Sequence, residues 1–196
     1  MPIAKAYSRS TSPRNEFRII GGRWRHRRCH FPAREGLRPT PDRVRETLFN
    51  WLQPRIAGAR CLDLFAGSGA LGLEALSRGA GEAIFVERDM AAAKGIDANL
   101  AMLGEQAPIM STDALRYLAG PPRPFDLVFL DPPYESGLLA EAVRQLAPPW
   151  LHPDARIYLE YPAAAGAPPL PDGWRLLKQS HAGAVGFALA AVDQVF

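Results

Sequence analysis

Residues 60–72 read RCLDLFAGSGALG, an apolar segment that runs into a glycine-rich turn and the first residues of a helix. Gly67, Gly69 and Gly72 match the G-x-G-x-x-G pattern, which follows a strand where a parallel sheet binds a nucleotide cofactor. Glu87 comes 18 residues after Gly69, where an acid that binds ribose hydroxyls is expected. Because nicotinamide and S-adenosylmethionine sites share this spacing, the turn alone does not select between them.

Strands and helices alternate along the chain from residue 60 onward. The predicted strands are nearly continuous apolar runs, which is typical of a parallel sheet with helices on both faces. The sequence therefore predicts an α/β fold with a doubly wound sheet that ends in an antiparallel pair. The predicted strands are 60–65, 83–87, 107–111, 125–130, 155–161, 173–180 and 183–192, and the predicted helices are 69–78, 89–103, a short one after 113, and 138–146.

The first third of the chain is strongly basic. Residues 1–60 carry 14 Lys and Arg against 4 Asp and Glu, a balance of +10, whereas residues 61–196 have a balance of −7. Thirteen of these cations are Arg, whose planar guanidinium matches phosphate oxygens. This asymmetry favours a segment that binds a polyanion such as a nucleic acid. A solvated charged surface without a partner is the alternative.

A short hairpin is expected in this basic segment. Residues 17–20 predict a strand, Gly21–Gly22 a tight turn, and residues 23–31 a return strand that carries Trp24 among cationic neighbours. A two-stranded ribbon is marginally stable alone, so it should dock on the body or on a partner. The preceding residues 1–15 are predicted to be a disordered basic arm, with an organellar transit peptide as the alternative.

A helix is expected after the hairpin. Thr40 is a natural N-cap and Pro41 suits a first helical turn, so the pattern predicts a helix over 41–52. Pro54 is expected to end it, because proline lacks an N–H group and its ring clashes with the preceding turn.

Acidic residues stand at the ends of four successive predicted strands: Asp63, Glu87, Asp113 and Asp131. In a doubly wound sheet, ligands bind at this edge, near the point where the strand order reverses. Four acids in a row favour a ligand with hydroxyl groups and positive charge. Asp63 would repel a dinucleotide pyrophosphate but attract the ammonium group of a methionine moiety, which favours S-adenosylmethionine.

The sequence Asp131-Pro132-Pro133-Tyr134 follows the fourth predicted strand. An exocyclic amine on a base is a poor nucleophile, because its lone pair is delocalised into the ring. Ionised Asp131 offers only acceptors, and Pro132 presents its carbonyl without a competing donor. Such acceptors localise the lone pair and stabilise the positive charge that develops on nitrogen. Since Tyr134 offers a face on which an extruded base can stack, the four residues predict amino methylation. A Pro-Pro turn without function is the alternative.

Membrane, secreted and metal-binding classes are not favoured. No apolar run reaches the roughly 18–20 residues of a spanning helix, and no apolar signal region follows the first residues. Cys29 and Cys61 form no C-x-x-C pair, and the four histidines are scattered. We therefore expect a cytoplasmic protein without a structural metal, and a monomer.

Four segments carry a resemblance that spans roughly residues 17–192: RIIGGRWR at 18–25, LRPTPDRVRETLFNWL at 37–52, LDLFAGSGALG at 62–72 and FDLVFLDPPY at 125–134. The chain resembles the Rossmann-like class I methyltransferases and, more closely, the bacterial RsmD-type enzymes that methylate guanine N2 in small-subunit (16S) ribosomal RNA. The resemblance implies a seven-stranded, mostly parallel sheet with its last strand antiparallel, S-adenosylmethionine as donor, and rRNA or the small ribosomal subunit as partner. The chain departs from the family pattern in two ways. About 15 additional residues precede the hairpin, and Pro41 stands where threonine is common.

The resemblance also implies a division of labour along the chain. Residues 16–54 would form an RNA-binding extension of hairpin plus helix, and residues 55–196 the catalytic domain. Catalysis would rest on Asp131, Pro132, Pro133 and Tyr134. The residues implied to hold the donor are Thr40, Asp63, Phe65, Ala66, Gly67, Ser68, Gly69, Glu87, Arg88, Asp113 and Ala114. Those implied to bind RNA are Arg23, Trp24, Arg25, Arg27, Arg28, Arg38 and Arg43.

Other functions remain open at this stage. An amino methyltransferase acting on adenine or cytosine in DNA would use the same loop. A non-catalytic RNA-binding factor in ribosome assembly is the alternative from a different class. A protein glutamine methyltransferase is less favoured, because that chemistry usually shows Asn where Asp131 stands. A nicotinamide oxidoreductase is the most distant alternative.

Overall fold

The computed structural model describes residues 15–34, 36–146 and 148–192. The basic arm predicted at 1–15 therefore lies outside the described residues, apart from Asn15. Within the described ranges, no helix has the length and apolar character needed to cross a membrane.

Seven strands form the main sheet, as the resemblance implies. They are β3 (Arg60–Asp63), β4 (Glu82–Val86), β5 (Ile109–Met110), β6 (Phe125–Leu130), β7 (Leu151–Pro162), β8 (Trp174–Ala182) and β9 (Val185–Val192), after the short pair β1 (Glu16–Arg18) and β2 (Arg28–His30). The spatial order is β5-β4-β3-β6-β7-β9-β8. The first five of these strands pair in parallel, and β9 is antiparallel to both neighbours. The predicted fold class is thereby confirmed, with the order reversing between β3 and β6.

Five helices cover the two faces of this sheet. They are α1 (Asp42–Ile56), α2 (Ala70–Ser77), α3 (Met90–Leu103), α4 (Ala114–Leu118) and α5 (Leu138–Gln145). One core layer contains apolar residues of α1, α2 and α3, and the other contains those of α4 and α5. Gly72 shows how closely α2 lies on the sheet, because a Cβ there would come within 2.3 Å of the Phe85 ring. The third glycine of the fingerprint is thus required by packing.

The helix after the hairpin begins and ends differently from the prediction. α1 starts at Asp42, and its N-cap position is Pro41, without a side-chain cap. The predicted cap, Thr40, donates instead to a carboxylate of the candidate site. Pro54 lies inside α1 and does not end it. Only the last two residues of α1 follow Pro54, and the carbonyl deprived of a partner belongs to the exposed Asn50, where water can reach it.

The predicted tight turn at Gly21–Gly22 is also wrong. β1 and β2 are joined by a longer loop, in which residues 22–24 form a single 3-10 turn. This loop lies directly against α2, since a Cβ on Gly22 would fall 1.8 Å from the Ser77 carbonyl oxygen. The backbone N–H of Trp24 donates to the Ser77 hydroxyl at 3.0 Å. Contacts with α2 therefore act together with the loop's own backbone hydrogen bonds to set its conformation.

Glu74 of α2 fixes this loop to the body. Its fully buried carboxylate accepts the N–H groups of Ile20 and Gly21, each at 2.8 Å. It also pairs with the buried Arg45 of α1, at 3.5 Å, and with Arg78, at 2.7 Å. The N-terminal segment and the sheet thus share one core, and the boundary expected at residues 54 and 55 falls within α1.

Both cysteines are completely buried and belong to this shared core. Burial raises the pKa of the Cys29 thiol to about 11 and raises that of Cys61 further. Both are free thiols that pack in the core.

Candidate active site

Strand register brings the acidic strand ends together at one edge of the sheet. Asp63, the last residue of β3, is paired with Phe85 on β4 and with Phe129 on β6. Leu130 of β6 is paired with Leu159 of β7, so Asp131 and Glu160 are the next residues on adjacent strands. The point where strand order reverses therefore lies beside Asp63 and Asp131, as expected for a ligand site.

The glycine turn is held by two of the predicted acids. The Gly67 N–H donates to Glu87 Oε2 at 2.7 Å, and the Asp89 N–H donates to Glu87 Oε1 at 2.7 Å. The Gly72 N–H donates to Asp63 Oδ2 at 2.9 Å. Gly69 adopts φ of 78°, a left-handed conformation that favours glycine. Each oxygen of Glu87 keeps lone pairs that hydroxyl groups can reach.

Asp63 is a carboxyl group in an unfavourable setting for a negative charge. Its side chain is 2% exposed. Burial raises its pKa to about 7, the hydrogen bond from Gly72 opposes the shift, and the charge of Glu87 adds to it. A cationic ligand group placed beside Asp63 would lower that pKa again, because an opposite charge favours the ionised form.

The other predicted donor-site residues surround this turn or lie further along the same edge. Asp113 accepts the N–H groups of Leu115 at 2.9 Å and Arg116 at 3.3 Å, so it caps α4. Arg88 is exposed. Phe65 is half-buried, whereas Ala66, Ser68 and Ala114 are buried.

The corner after β6, residues 131–134, contains an acid, two prolines and an exposed aromatic ring. Pro132 is buried, and Tyr134 is 38% exposed. The Thr40 hydroxyl donates to Asp131 Oδ2 at 3.2 Å, although the two residues are 91 positions apart. A residue of the N-terminal segment thus contacts the acid of the corner, and this contact replaces the predicted helix cap.

Glu160 completes the corner and was not predicted from the sequence. Its side chain is buried, with the Tyr134 hydroxyl donating to Oε1 at 3.0 Å and the Tyr158 hydroxyl donating to Oε2 at 2.7 Å. Glu160 and Asp131 lie side by side on adjacent strands, close enough for each to influence the pKa of the other. The sequence signal is that Glu160 is the one charged residue in the apolar segment 157–161.

Both carboxyl groups of this pair favour the protonated form more than usual. Burial raises the pKa of Asp131 well above its ordinary value, and the neighbouring Glu160 raises it further. Burial also raises the pKa of Glu160, but the hydrogen bonds from Tyr158 and Tyr134 oppose that shift. Arg38 faces the pair and lowers the pKa of Glu160 electrostatically. The proton is therefore held more strongly by Asp131.

The predicted RNA-binding arginines are exposed, but Trp24 is not. Trp24 is buried in the core, and the Arg23 guanidinium lies 4.3 Å from its ring centroid. Since its ring packs against the body, we do not retain Trp24 as an RNA-stacking residue. Two of the arginines form ion pairs, Arg23 with Glu105 and Arg28 with Glu16. The exposed set is Arg23, Arg25, Arg27, Arg28, Arg38 and Arg43.

Among the described residues, no group of three or more His, Cys, Asp or Glu side chains is arranged to hold a metal ion. The arrangement of the edge, with an acid-held glycine turn at β3 and an acid–proline corner at β6, is that of the Rossmann-like methyltransferases, which use S-adenosylmethionine. Fold and site assign the chain to this class.

Comparisons with known proteins place the chain more narrowly. A family model described as conserved hypothetical protein 95 matches residues 17–191. The chain is 48% identical over 176 residues to ribosomal RNA small subunit methyltransferase D of Escherichia coli strain K12, covering 89% of each protein. It is 45% identical over 184 residues to the protein of that name from Haemophilus influenzae, covering 90% of this chain and 94% of the relative. The solved structure of Escherichia coli yhhF matches with a TM-score of 0.86 at 44% identity, covering 92% of this chain and 99% of that one. The chain belongs to this family of RsmD-type methyltransferases.

Proposed function

We propose that the chain transfers a methyl group from S-adenosylmethionine to the exocyclic N2 of a guanine in small-subunit ribosomal RNA. The observation that carries the proposal is the position of Asp131 at the reversal of strand order, beside Asp63 and directly before a buried proline. The relatives at 45–48% identity are named ribosomal RNA small subunit methyltransferase D, which supports rRNA as the substrate.

The residues of the glycine turn suit the donor. Buried Asp63 would gain from a neighbouring cation, and the methionine end of the donor carries an ammonium and a sulfonium group. Glu87, oriented by two backbone N–H groups, would accept the ribose hydroxyls. When bound, the donor supplies an activated methyl group, so the protein has mainly to position the acceptor nitrogen.

The corner at Asp131 would activate that nitrogen. An acceptor oxygen of Asp131 and the carbonyl of Pro132 would receive its N–H groups and localise its lone pair. These oxygens are fixed before the reaction, so they stabilise the developing positive charge without reorganisation. The Tyr134 ring, held through its hydroxyl by Glu160, would stack against the guanine.

The N-terminal segment would bring RNA to this corner. Its exposed arginines suit phosphate groups, and the charge of Arg38 reaches the corner, where it opposes the rise that burial causes in the pKa of Tyr134. The Thr40 hydroxyl then joins the same segment to Asp131. We propose Arg23, Arg25, Arg27, Arg28, Arg38 and Arg43 as phosphate contacts.

The test is methylation of small ribosomal subunits, free 16S rRNA and duplex DNA by the purified protein with labelled S-adenosylmethionine. Nucleosides are then separated by mass spectrometry, and the expected product is N2-methylguanosine from the ribosomal substrates. The same nucleoside should be lost from the rRNA of a deletion strain. Methylated adenine or cytosine from duplex DNA, with unmodified rRNA, would contradict the proposal.

A further inference from the structure

Glu160 is a buried acid whose only part in the proposed function so far is to hold Tyr134. Its two oxygens accept the Tyr134 and Tyr158 hydroxyls, and it lies beside Asp131 on the neighbouring strand. A carboxylate has roughly four acceptor positions, so Glu160 can accept both phenols and a third donor at once. Asp131 is that third donor, provided that it carries the proton shared by the pair.

The charges around the pair support one shared proton. Asp63 also faces Asp131 and adds negative charge, whereas Arg38 faces Glu160 and opposes it. Among the described residues, no Lys or Arg lies within salt-bridge distance of either carboxyl group of the pair. Two adjacent buried carboxylates without a bound cation resist losing both protons.

The proton belongs on Asp131 because of the hydrogen bonds that each acid receives. Glu160 receives two phenol donors, which stabilise its charged form. Asp131 receives the weaker contact from the Thr40 hydroxyl at 3.2 Å. Asp131 is then a neutral acid that donates one proton to Glu160 and keeps its other oxygen as an acceptor.

We propose that Glu160 is a positioning residue that acts through Asp131: it orients the acceptor oxygen of Asp131 and takes over the proton of Asp131 when the substrate nitrogen loses its own. This inference rests on the proposed function, since it assigns a destination to the proton that amino methylation must release. Through Tyr134, the same carboxylate also fixes the ring that would stack on the base.

Methylation of the amine must release one proton. The nitrogen lone pair forms the new N–C bond while the bond from the methyl carbon to the donor sulfur breaks and leaves its electron pair on sulfur. An N–H bond of the amine then breaks, and its electron pair stays on nitrogen. The released proton goes to the free oxygen of Asp131, and the proton on the other Asp131 oxygen passes to Glu160. Asp131 is neutral before and after the step, and the negative charge of Glu160 cancels the positive charge that arrives with the methyl group.

The test compares wild type with Glu160→Gln, which keeps the size and an acceptor for tyrosine. We expect the single-turnover methylation rate to fall by about 100-fold, at the lower end of the range of general acid–base effects, with S-adenosylhomocysteine affinity unchanged. The acidic limb of the pH–rate profile should be lost, because the group that takes up the second proton of the pair in the wild type is Glu160 itself. Glu141→Gln, at a half-buried surface position on α5, is the matched control and should change neither quantity.

A second variant removes the buried tyrosine hydroxyl that donates to Glu160. Tyr158→Phe removes a donor that stabilises ionised Glu160, so the pair should take its second proton at higher pH. The acidic limb should then move to higher pH, whereas Glu160→Gln should lack it. A purely structural Glu160 would lower the rate and leave the limb unchanged in both variants, and that result would overturn the inference.

A measurement without substrate separates this inference from the proposed function. Carbon-13 NMR of the carboxyl groups follows the titration of Asp131 in the wild type and in Glu160→Gln. The midpoint should fall in the variant, and an unchanged midpoint would overturn the coupling even if rRNA methylation is active. Conversely, a coupled titration in a protein that methylates no rRNA would reject the proposed function alone.

Discussion

Asp131 is the residue on which turnover should depend most directly. We predict that Asp131→Ala lowers turnover by at least about 100-fold, because both the acceptor for the amine and the proton route are lost. Binding of S-adenosylhomocysteine, measured by calorimetry, should remain close to wild type, since the glycine turn is held by Asp63 and Glu87. Asp172→Ala, in the exposed loop before β8, serves as control. Wild-type turnover in Asp131→Ala would refute the assigned role.

Asp63 should make the stability of the ligand-free protein depend on pH. Its pKa is about 7 in the folded state against an ordinary value of 3.8. Between those values the folded state binds more protons than the unfolded chain, so the free energy of unfolding falls as pH rises. The free energy of unfolding should fall by roughly 4 kcal/mol in total as Asp63 ionises, and Asp63→Asn should lack this fall.

Urea unfolding of wild type and Asp63→Asn at several values between pH 4 and 8 measures this difference. The free energy of unfolding of Asp63→Asn should increase relative to that of the wild type as pH increases. Stability curves that stay parallel across this range would show that Asp63 does not carry the shift. Saturating S-adenosylmethionine should reduce the difference, because its cationic groups stabilise the ionised carboxylate.

At the scale of elements, Glu74 should decide whether the hairpin stays docked on α2. Glu74→Ala leaves the buried Arg45 without this partner and removes the acceptor of two backbone N–H groups. Breaking a buried ion pair costs about 3–5 kcal/mol, so a loss of that order is expected in urea unfolding. Glu46→Ala, on the exposed face of α1, should cost little.

Hydrogen exchange measures which backbone N–H groups lose protection in Glu74→Ala. In Glu74→Ala, faster exchange is expected at the backbone N–H groups of residues 16–30, with the central strands of the sheet less affected. Equal protection of the hairpin in the variant and the wild type would mean that Glu74 does not anchor it.

The elements that the sequence predicted well have local causes. Asp89 caps α3 by accepting the N–H groups of Ala91 and Ala92, and Gly104 ends it in a left-handed conformation. The same holds for α4 after Asp113. Each capping residue lies within a few positions of the backbone groups that it binds, so the local sequence is enough to predict where the helix begins or ends.

The features that the sequence did not reveal depend on contacts between distant segments. Thr40 looks like a helix cap, but the fold brings it to Asp131, which lies 91 residues away. Gly21 and Gly22 look like a hairpin turn, but α2 supplies the acceptors that their loop uses. The pair of Glu160 with Asp131 depends on the alignment of β6 with β7, which no local pattern specifies.

At the scale of the whole molecule, the division of charge predicts how RNA affinity responds to salt. If the exposed arginines bind phosphates, the logarithm of affinity should fall linearly with the logarithm of salt concentration. The double variant Arg25→Ala and Arg43→Ala should reduce the magnitude of that slope by roughly 1.5, because two contacts are lost. Filter binding to 16S rRNA fragments at several salt concentrations measures it.

The control for this prediction comes from the acidic part of the chain. Arg144, on α5, is exposed and paired with Glu141, away from the N-terminal segment in sequence. Arg144→Ala should leave the slope unchanged. If Arg144→Ala changes the slope as much as the double variant does, the RNA surface is not the one proposed.

The burial of Cys29 and Cys61 makes the protein convenient for spectroscopy. Maleimide dyes react with accessible thiolates, and these two thiols are both enclosed and protonated at neutral pH. A cysteine introduced at the exposed position of Arg25 should therefore take up a single fluorophore while both native cysteines stay in place. Such a labelled protein would report the arrival of RNA at the hairpin in real time, independently of methyl transfer.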